Sequence, residues 1–285
     1  MPDFAQIKRR IEGIEAVRDS ARVIERVSAA DIDRFRRIAA RLGDYISTLE
    51  VMVRELTTEV ELAHPLFLEK PSPGPTAVVV ITSDRGLSGA YNRGVLDLAA
   101  SLPLENSRYI VVGRKGKEAF DHAKREYVLH LPGLSDEPTE TDMEPLEKYL
   151  ISGFSENRFG AVVIVYSHFA SIAVSDPTVE VFLPFSERPL LRGIAKVGKL
   201  PIIEPNVASI VDYLIREYVS LELFRIAIDS KLSELSSRTV AAGAAADRAD
   251  EMARNHRRRF LKFKRAQITK SIGELFASRY AEEGG

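Results

Sequence analysis

The chain has 285 residues, 28% of them charged, a formal net charge of -1 and no cysteine. That balance carries no overall signal for nucleic acid or for an anionic membrane, and the missing cysteine excludes disulfides, thiolate metal sites and a thiol redox switch. No apolar run approaches the ~18 residues of a transmembrane helix, and MPDFAQIKRRIEG lacks the apolar core of a signal peptide, so a soluble intracellular protein, or one peripheral to a membrane, is expected.

From Asp3 to His64 there is no proline, and glycine occurs only at Gly13 and Gly43. Phe4, Ile7, Ile11, Ile14, Val17, Ala21, Ile24 and Val27 step by threes and fours. After an irregularity the stripe resumes as Ile32, Phe35, Ile38, Leu42, Tyr45, Leu49, Met52 and Leu56. This spacing predicts one long helix over residues 1–64 with a coiled-coil seam. Its mixed charges, from Lys8, Arg9 and Arg10 to Arg26, read as a solvated flank.

Residues 64–75, HPLFLEKPSPGP, hold four prolines and a glycine and form a boundary. The middle segment, 74–204, then alternates strand and helix signals. Thr76–Thr82 is a β-branched run suited to a buried parallel strand. The turn Ser83–Asn92 leads into a helix through Ser101. Tyr109–Val112 is a second strand, Gly113–Lys124 a second helix and Tyr127–Leu131 a third strand. Residues 132–145 read as an acidic loop, 142–156 as a helix, and Gly160–Tyr166 as another buried strand. Ile172–Pro184 reads as an extended strand or hairpin broken at Asp176-Pro177. The alternation predicts a Rossmann-like, doubly wound α/β domain. Residues 185–205 are a loop, with Pro205 placed near the start of a last helix.

Residues 205–285 complete the chain, and Asn206 to Gly285 contains none of the 14 prolines. The seam runs Ile210, Leu214, Tyr218, Leu221, Phe224, Ile228, Leu232, Leu235, Thr239, Ala242, Ala246, Ala249, Ala253, His256, Phe260 and Phe263. A helix reaching residue 280 would be on the order of 110 Å long at ~1.5 Å per residue. No single globular core holds that length, so it needs a partner, and the N-terminal helix is the natural one. Sequence does not fix the orientation of the pair; antiparallel is favoured over parallel because both helices leave one middle domain. The fold class is therefore α/β: a long antiparallel two-helix coiled coil from the two terminal segments plus a central Rossmann-like domain. The alanine tract Val240–Ala246 makes the C-terminal helix slim. Gly243 costs roughly 1 kcal/mol of helix propensity, for which close approach of a partner or local flexibility accounts.

No catalytic constellation is found. The glycine-bearing turn Ser83-Asp84-Arg85-Gly86-Leu87-Ser88-Gly89 has neither dinucleotide nor P-loop spacing. It reads as a structural turn built on Asp84, Arg85, Gly86 and Gly89, ahead of a phosphate site. The histidines His64, His122, His130, His168 and His256 lack metal-ligand spacing, and Ser167, His168 and Asp176 give no nucleophilic signature. Arg257–Arg259 with Lys262, Lys264, Arg265 and Lys270, interleaved with Phe260 and Phe263, is the densest positive cluster. It fits a solvated flank or docking on acidic loops of a partner protein better than a nucleic-acid contact.

Together these motifs resemble the gamma subunit family of F-type ATP synthases. Thr82–Asn92 is similar to the family's S-T-D-R-G-L-C-G-G-x-N turn, and Gly113-Arg114-Lys115-Gly116 to its G-x-K-G turn. Glu204-Pro205 resembles the E-P-D that opens the last helix. Arg238, Val240, Ala241, Ala244, Ala245, Asp247 and Ala249 match R-M-V-A-M-K-A-A-T-D-N-A, and Ile268-Thr269-Lys270 with Glu274-Leu275 resemble I-T-K-E-L-x-E-I. The resemblance implies a non-catalytic rotor shaft without cofactor. It would turn inside a ring of alpha and beta subunits, beside the epsilon subunit and the membrane c-subunit ring, peripheral on the cytoplasmic face of a bacterial inner membrane. It further implies that Lys264, Arg265 and Thr269 meet the catalytic-subunit ring, where the family carries arginine and glutamine before the threonine. The family's A-A-S-K-M reads Ser28-Ala29-Ala30-Asp31-Ile32 here. These departures fit a divergent member from an alternative F-type ATPase better than a housekeeping copy. Two other readings are a coiled-coil adaptor that has lost rotary function and a small-molecule enzyme with helical arms.

Overall fold

The structure is a computed structural model that describes residues 4–57, 66, 74–102, 106–136, 138–172, 174–185 and 207–283. Most of the boundary at 64–75, the loop at 185–205 and the Glu204-Pro205 helix start lie outside the described residues. The elements in order are α1 (Phe4–Thr57), β1 (Thr76–Ile81), α2 (Tyr91–Ser101), β2 (Ser107–Val112), α3 (Arg114–His122), β3 (Leu129–Leu131), a 3-10 turn (Glu140–Asp142), α4 (Glu144–Ser155), β4 (Ala161–Ser171), β5 (Val174–Leu183) and α5 (Val207–Glu283). They fall into two compact units, one of Ser28–Arg238 and one of Met1–Val27 with Thr239–Gly285.

The larger unit is built on a five-stranded sheet in the order β3-β2-β1-β4-β5. β1 to β4 are mutually parallel, and β5 returns antiparallel along β4. Successive side chains of a strand point to opposite faces, and β1 shows the consequence. Ala77, Val79 and Ile81 enter one apolar cluster with α1, α4 and α5. Val78 and Val80 enter the other with Val95 and Ala99 of α2 and Phe120 of α3. Both faces are covered, so the central strands read as unbroken apolar runs.

The segment 83–90 is a turn and α2 starts at Tyr91, as the sequence leads one to expect. One detail departs from the expectation: β5 is continuous through Asp176-Pro177, with Pro177 opposite Ser167. β5 lies at the sheet edge, where a residue without an N–H is tolerated.

Within this unit α5 is covered on nearly every side from Tyr218 to Arg238. Leu221, Leu223, Ile226, Ala227 and Ile228 are each at most 2% exposed, and polar residues such as Glu222, Ser230, Ser233 and Glu234 are buried beside them, so this stretch is a core helix. The α1 side of that core is Ile32, Phe35, Leu42, Ile46, Leu49 and Val53.

In the smaller unit α1 and α5 run antiparallel. Phe4 meets Phe260 edge-on at 5.5 Å, Arg257 pairs with Glu15, Arg18 with Asp250 at 3.3 Å and Arg22 with Asp247 at 2.6 Å. The buried seam on α5 is Ala242, Ala246, Ala249 and Ala253. At Gly243 the Glu25 side chain of α1 lies close, since a Cβ there would be 2.9 Å from Glu25 Oε1.

The seam of α1 differs from the apolar stripe expected. Val17 and Val27 are 61% and 56% exposed, and Tyr45 and Met52 also face solvent. The true seam runs Phe4, Ile7, Ile11, Ile14, Arg18, Ala21, Glu25, Ser28, Ile32, Phe35, Ala39, Leu42, Ile46, Leu49, Val53, all buried or half-buried. It keeps a strict heptad spacing with no irregularity, and three of its positions are polar.

Candidate functional site

The turn after β1 is the first candidate. Thr82 is buried; its hydroxyl donates to Val112 O at 2.7 Å and accepts from Gly116 N at 2.8 Å. Lys115 N donates to Ser83 O at 2.9 Å, and Arg114 N to Asp84 Oδ1 at 2.8 Å. The first three amides of α3 are thus satisfied by three consecutive residues of the turn. A helix N-terminus attracts an anion through such free amides and its dipole, and here the Asp84 carboxylate already occupies that place. The same carboxylate accepts from Gly133 N at 3.0 Å. The backbone must pass very close to fit: Gly113 has φ +94°, and a Cβ on it would sit 2.1 Å from Thr82 O.

The far side of the turn is tied as tightly. Asn92 accepts from Ser83 N at 2.9 Å and donates to Ser83 Oγ and Ser88 Oγ, both at 2.8 Å. Gly89 takes φ +54°, and Ser88 O accepts from Ser237 Oγ of α5 at 2.7 Å. Arg85 is exposed and pairs with Asp136 at 2.9 Å, and Gly86 faces open space. The turn therefore fastens β1 to the loops after β2 and β3 and to α5. Asn92, Thr82 and Gly133 are the residues that sequence reasoning did not single out; Asn92 and Thr82 stood inside the quoted motif.

No chemistry assembles elsewhere among the described residues. Ser167 bonds to Ser233 and Ser175 hydroxyls rather than to a histidine. His168 Nδ1 lies 2.7 Å from Asp229, not Asp176. No cluster of His, Asp and Glu could hold a metal among the described residues.

The second candidate is the end of α5 in the smaller unit. Every residue from Leu261 to Phe276 is exposed, although Leu261, Phe263, Ile268, Ile272, Leu275 and Phe276 are large and apolar. Phe4, Phe260, Lys264, Ile268, Ile272 and Leu275 line an open concavity of about 410 Å³. Lys264, Arg265 and Thr269 all lie on this exposed stretch; Thr269 Oγ1 donates back to Arg265 O at 3.1 Å. Lys264 borders the concavity, while Arg265 and Thr269 share the neighbouring stripe. From Arg254 to Lys270 there are eight lysines and arginines and no acidic residue. Among the described residues, only Arg257 and Lys270 of these eight form ion pairs. Exposed apolar side chains rimmed by free cations mark an interaction surface, here one suited to an acidic partner.

A family model described as ATP synthase matches residues 3–281. The chain belongs to the ATP synthase family. It is 28% identical to the ATP synthase gamma chain of Desulfitobacterium hafniense, covering 99% of this chain and 100% of that relative. To the ATP synthase gamma chain of Pelotomaculum thermopropionicum it is 29% identical, with the same coverage of 99% and 100%. Its fold is that of ATP synthase stalk chains. One is in the central stalk and c-ring of Tetrahymena thermophila mitochondrial ATP synthase, with TM-score 0.58 and 17% identity over 79% of this chain and 98% of that one. Another is in the OSCP/F1/c-ring assembly of Euglena gracilis mitochondrial ATP synthase, with TM-score 0.59 and 14% identity over 92% and 95%. Within the ATP synthase family, then, this chain aligns end to end with gamma chains.

Proposed function

We propose that the chain is the central rotor-shaft subunit of an F-type ATP synthase or ATPase. It couples ion flow through a membrane sector to ATP synthesis or hydrolysis at beta subunits, and it catalyses nothing itself. The observation that carries this reading is the end-to-end alignment with gamma chains. Geometry supports it, because a shaft needs stiffness. The antiparallel helix pair of the smaller unit, with alanines at its seam and ion pairs along its flank, supplies it. The spent donors of the Asp84 turn agree with a subunit that binds no nucleotide.

The partners in this reading are alpha and beta subunits at the exposed basic and apolar end of α5, with Lys264, Arg265 and Thr269 in contact. The epsilon subunit and the c-subunit ring take the sheet-bearing part. Functionally the chain divides into the helix of residues 1–64, the α/β domain of 74–204 and the helix of 205–285. It sits peripherally on the cytoplasmic face of a bacterial inner membrane; no helix among the described residues is long and apolar enough to cross one. The adaptor reading, motivated by lysine and arginine at 264 and 265, is the less favoured. The departures there fit a divergent member of an alternative F-type ATPase.

The test is co-expression with the alpha- and beta-type subunits of the same organism. The expected result is one complex in which the chain copurifies and stimulates ATP hydrolysis. Copurification without any effect on hydrolysis would favour the adaptor. Saturable nucleotide binding by the isolated chain would favour the enzyme.

A further inference from the structure

Along α5, within the unit Ser28–Arg238, polar side chains reach partners on several elements at once. Arg225 donates to Glu180 of β5 at 3.1 Å. Asp229 accepts from Phe169 N of β4 at 3.1 Å. Ser233 shares hydroxyl bonds with Ser167 of β4 at 2.7 Å and Ser175 of β5 at 3.1 Å. A spacing of four puts these three on one ridge of the helix. Beside it, Ser230 Oγ bonds to the Tyr91 hydroxyl of α2 at 2.7 Å, and Ser237 Oγ to Ser88 O. On another side Tyr218 donates to Glu50 of α1 at 3.1 Å. Tyr91, Ser167, Ser230 and Ser233 are each at most 1% exposed. Burial pushes the Tyr91 hydroxyl pKa upward, so it stays a neutral partner for Ser230.

An apolar helix in an apolar socket has no strong preference for one rotational phase, because turning it trades one buried hydrocarbon for another. Buried hydroxyls do have a preference, since each must keep its partner. A turn of about 100°, one residue's worth, would separate all of these pairs together. Buried polar groups fix register in this way in coiled coils. Among the described residues, the alanine seam of the smaller unit is flanked instead by ion pairs such as Arg18–Asp250 and Arg22–Asp247.

We infer that Tyr91, Ser167, Ser175, Ser230 and Ser233 are rotational keys: positioning residues that stop α5 from turning in its socket when torque is applied. The inference rests on the rotor-shaft reading. α5 is one uninterrupted helix over Val207–Glu283, and the keys hold its phase at residues 225–237, within the unit Ser28–Arg238. The keys matter under load and little without it.

The experiment uses the complete complex in vesicles, with the variant Tyr91→Phe/Ser233→Ala, which removes two hydroxyls and almost no volume. ATP hydrolysis is measured in permeabilised vesicles, and the ATP-driven membrane potential in sealed ones with a voltage-sensitive dye. Unloaded hydrolysis is expected to stay within twofold of the parent, while the steady potential falls at least threefold. An undiminished potential overturns the inference, and so does a parallel fall of both, which a merely structural role would give. Should the double variant not assemble, Tyr91→Phe alone is judged by the same two readings. A parent complex that generates no ATP-driven potential would refute the rotor-shaft reading instead, and it is measured first.

Discussion

Gly113 and Gly243 make opposite predictions from the same missing side chain. At Gly113 the backbone has φ +94° and a Cβ would meet Thr82 O at 2.1 Å. Neither the conformation nor the neighbouring backbone can yield, so Gly113→Ala should cost at least about 2 kcal/mol and lower Tm clearly. At Gly243 the obstacle is the tip of the flexible Glu25 side chain. Gly243→Ala gains up to about 1 kcal/mol of helix propensity against a small shift of that carboxylate, so thermal melting should show a net stabilisation. Glu147 makes a pH prediction. Burial raises its pKa, helped by Glu144 and Glu217 and opposed by the Ser220 hydrogen bond. The folded state therefore holds this proton more tightly than the unfolded one, and stability is lost as pH rises past the ordinary glutamate value. Glu147→Gln should raise Tm at pH 7, with the gain vanishing below about pH 4.

At the scale of elements, the strands and helices of the α/β unit were legible because β-branched runs and amphipathic stretches alternate with little ambiguity. The seam of α1 was legible only in part. Following apolar residues alone leads onto Val17 and Val27. The helix instead keeps its heptad by placing Arg18, Glu25 and Ser28 on the seam, Arg18 and Glu25 opposite a helix thin enough to leave room for them. Pro177 misled for a related reason: a proline excludes a central strand, not an edge strand. Magnitudes then decide what holds the helices. Arg22→Ala removes an exposed ion pair with Asp247 and should leave melting almost unchanged. Leu232→Asp puts a carboxylate into a core where Leu232 is 3% exposed, and should cost at least about 3 kcal/mol. Unchanged helicity and melting in Leu232→Asp would contradict the packing described for α5. Lys264, Arg265 and Thr269 are proposed as contacts on the resemblance alone, since nothing in their own spacing distinguishes an interface from a solvated flank.

For the whole molecule, the charge arrangement is the informative feature. A net charge of -1 conceals a run from Arg254 to Lys270 with no acidic residue. Arg258→Glu with Arg259→Glu touches only exposed side chains, so melting of the isolated chain should not change. Association with alpha and beta subunits should weaken, and wild-type association should weaken with rising salt while the variant responds less. Equal salt response in both chains would remove the charged collar from the interface. Composition could not show this, because it averages over the chain what α5 concentrates in a few turns.

The all-round burial of α5 also bears on how the chain is made. The sheet face carrying Ala77, Val79, Ile110 and Ile164 is closed by α1, α4 and α5 together, and the ribosome delivers α5 only after residue 207. Until then α1 and α4 can cover that face only in part, and the nascent polypeptide exposes apolar surface of the kind on which aggregation begins. The core of this unit is therefore complete only when the final stretch of translation is done.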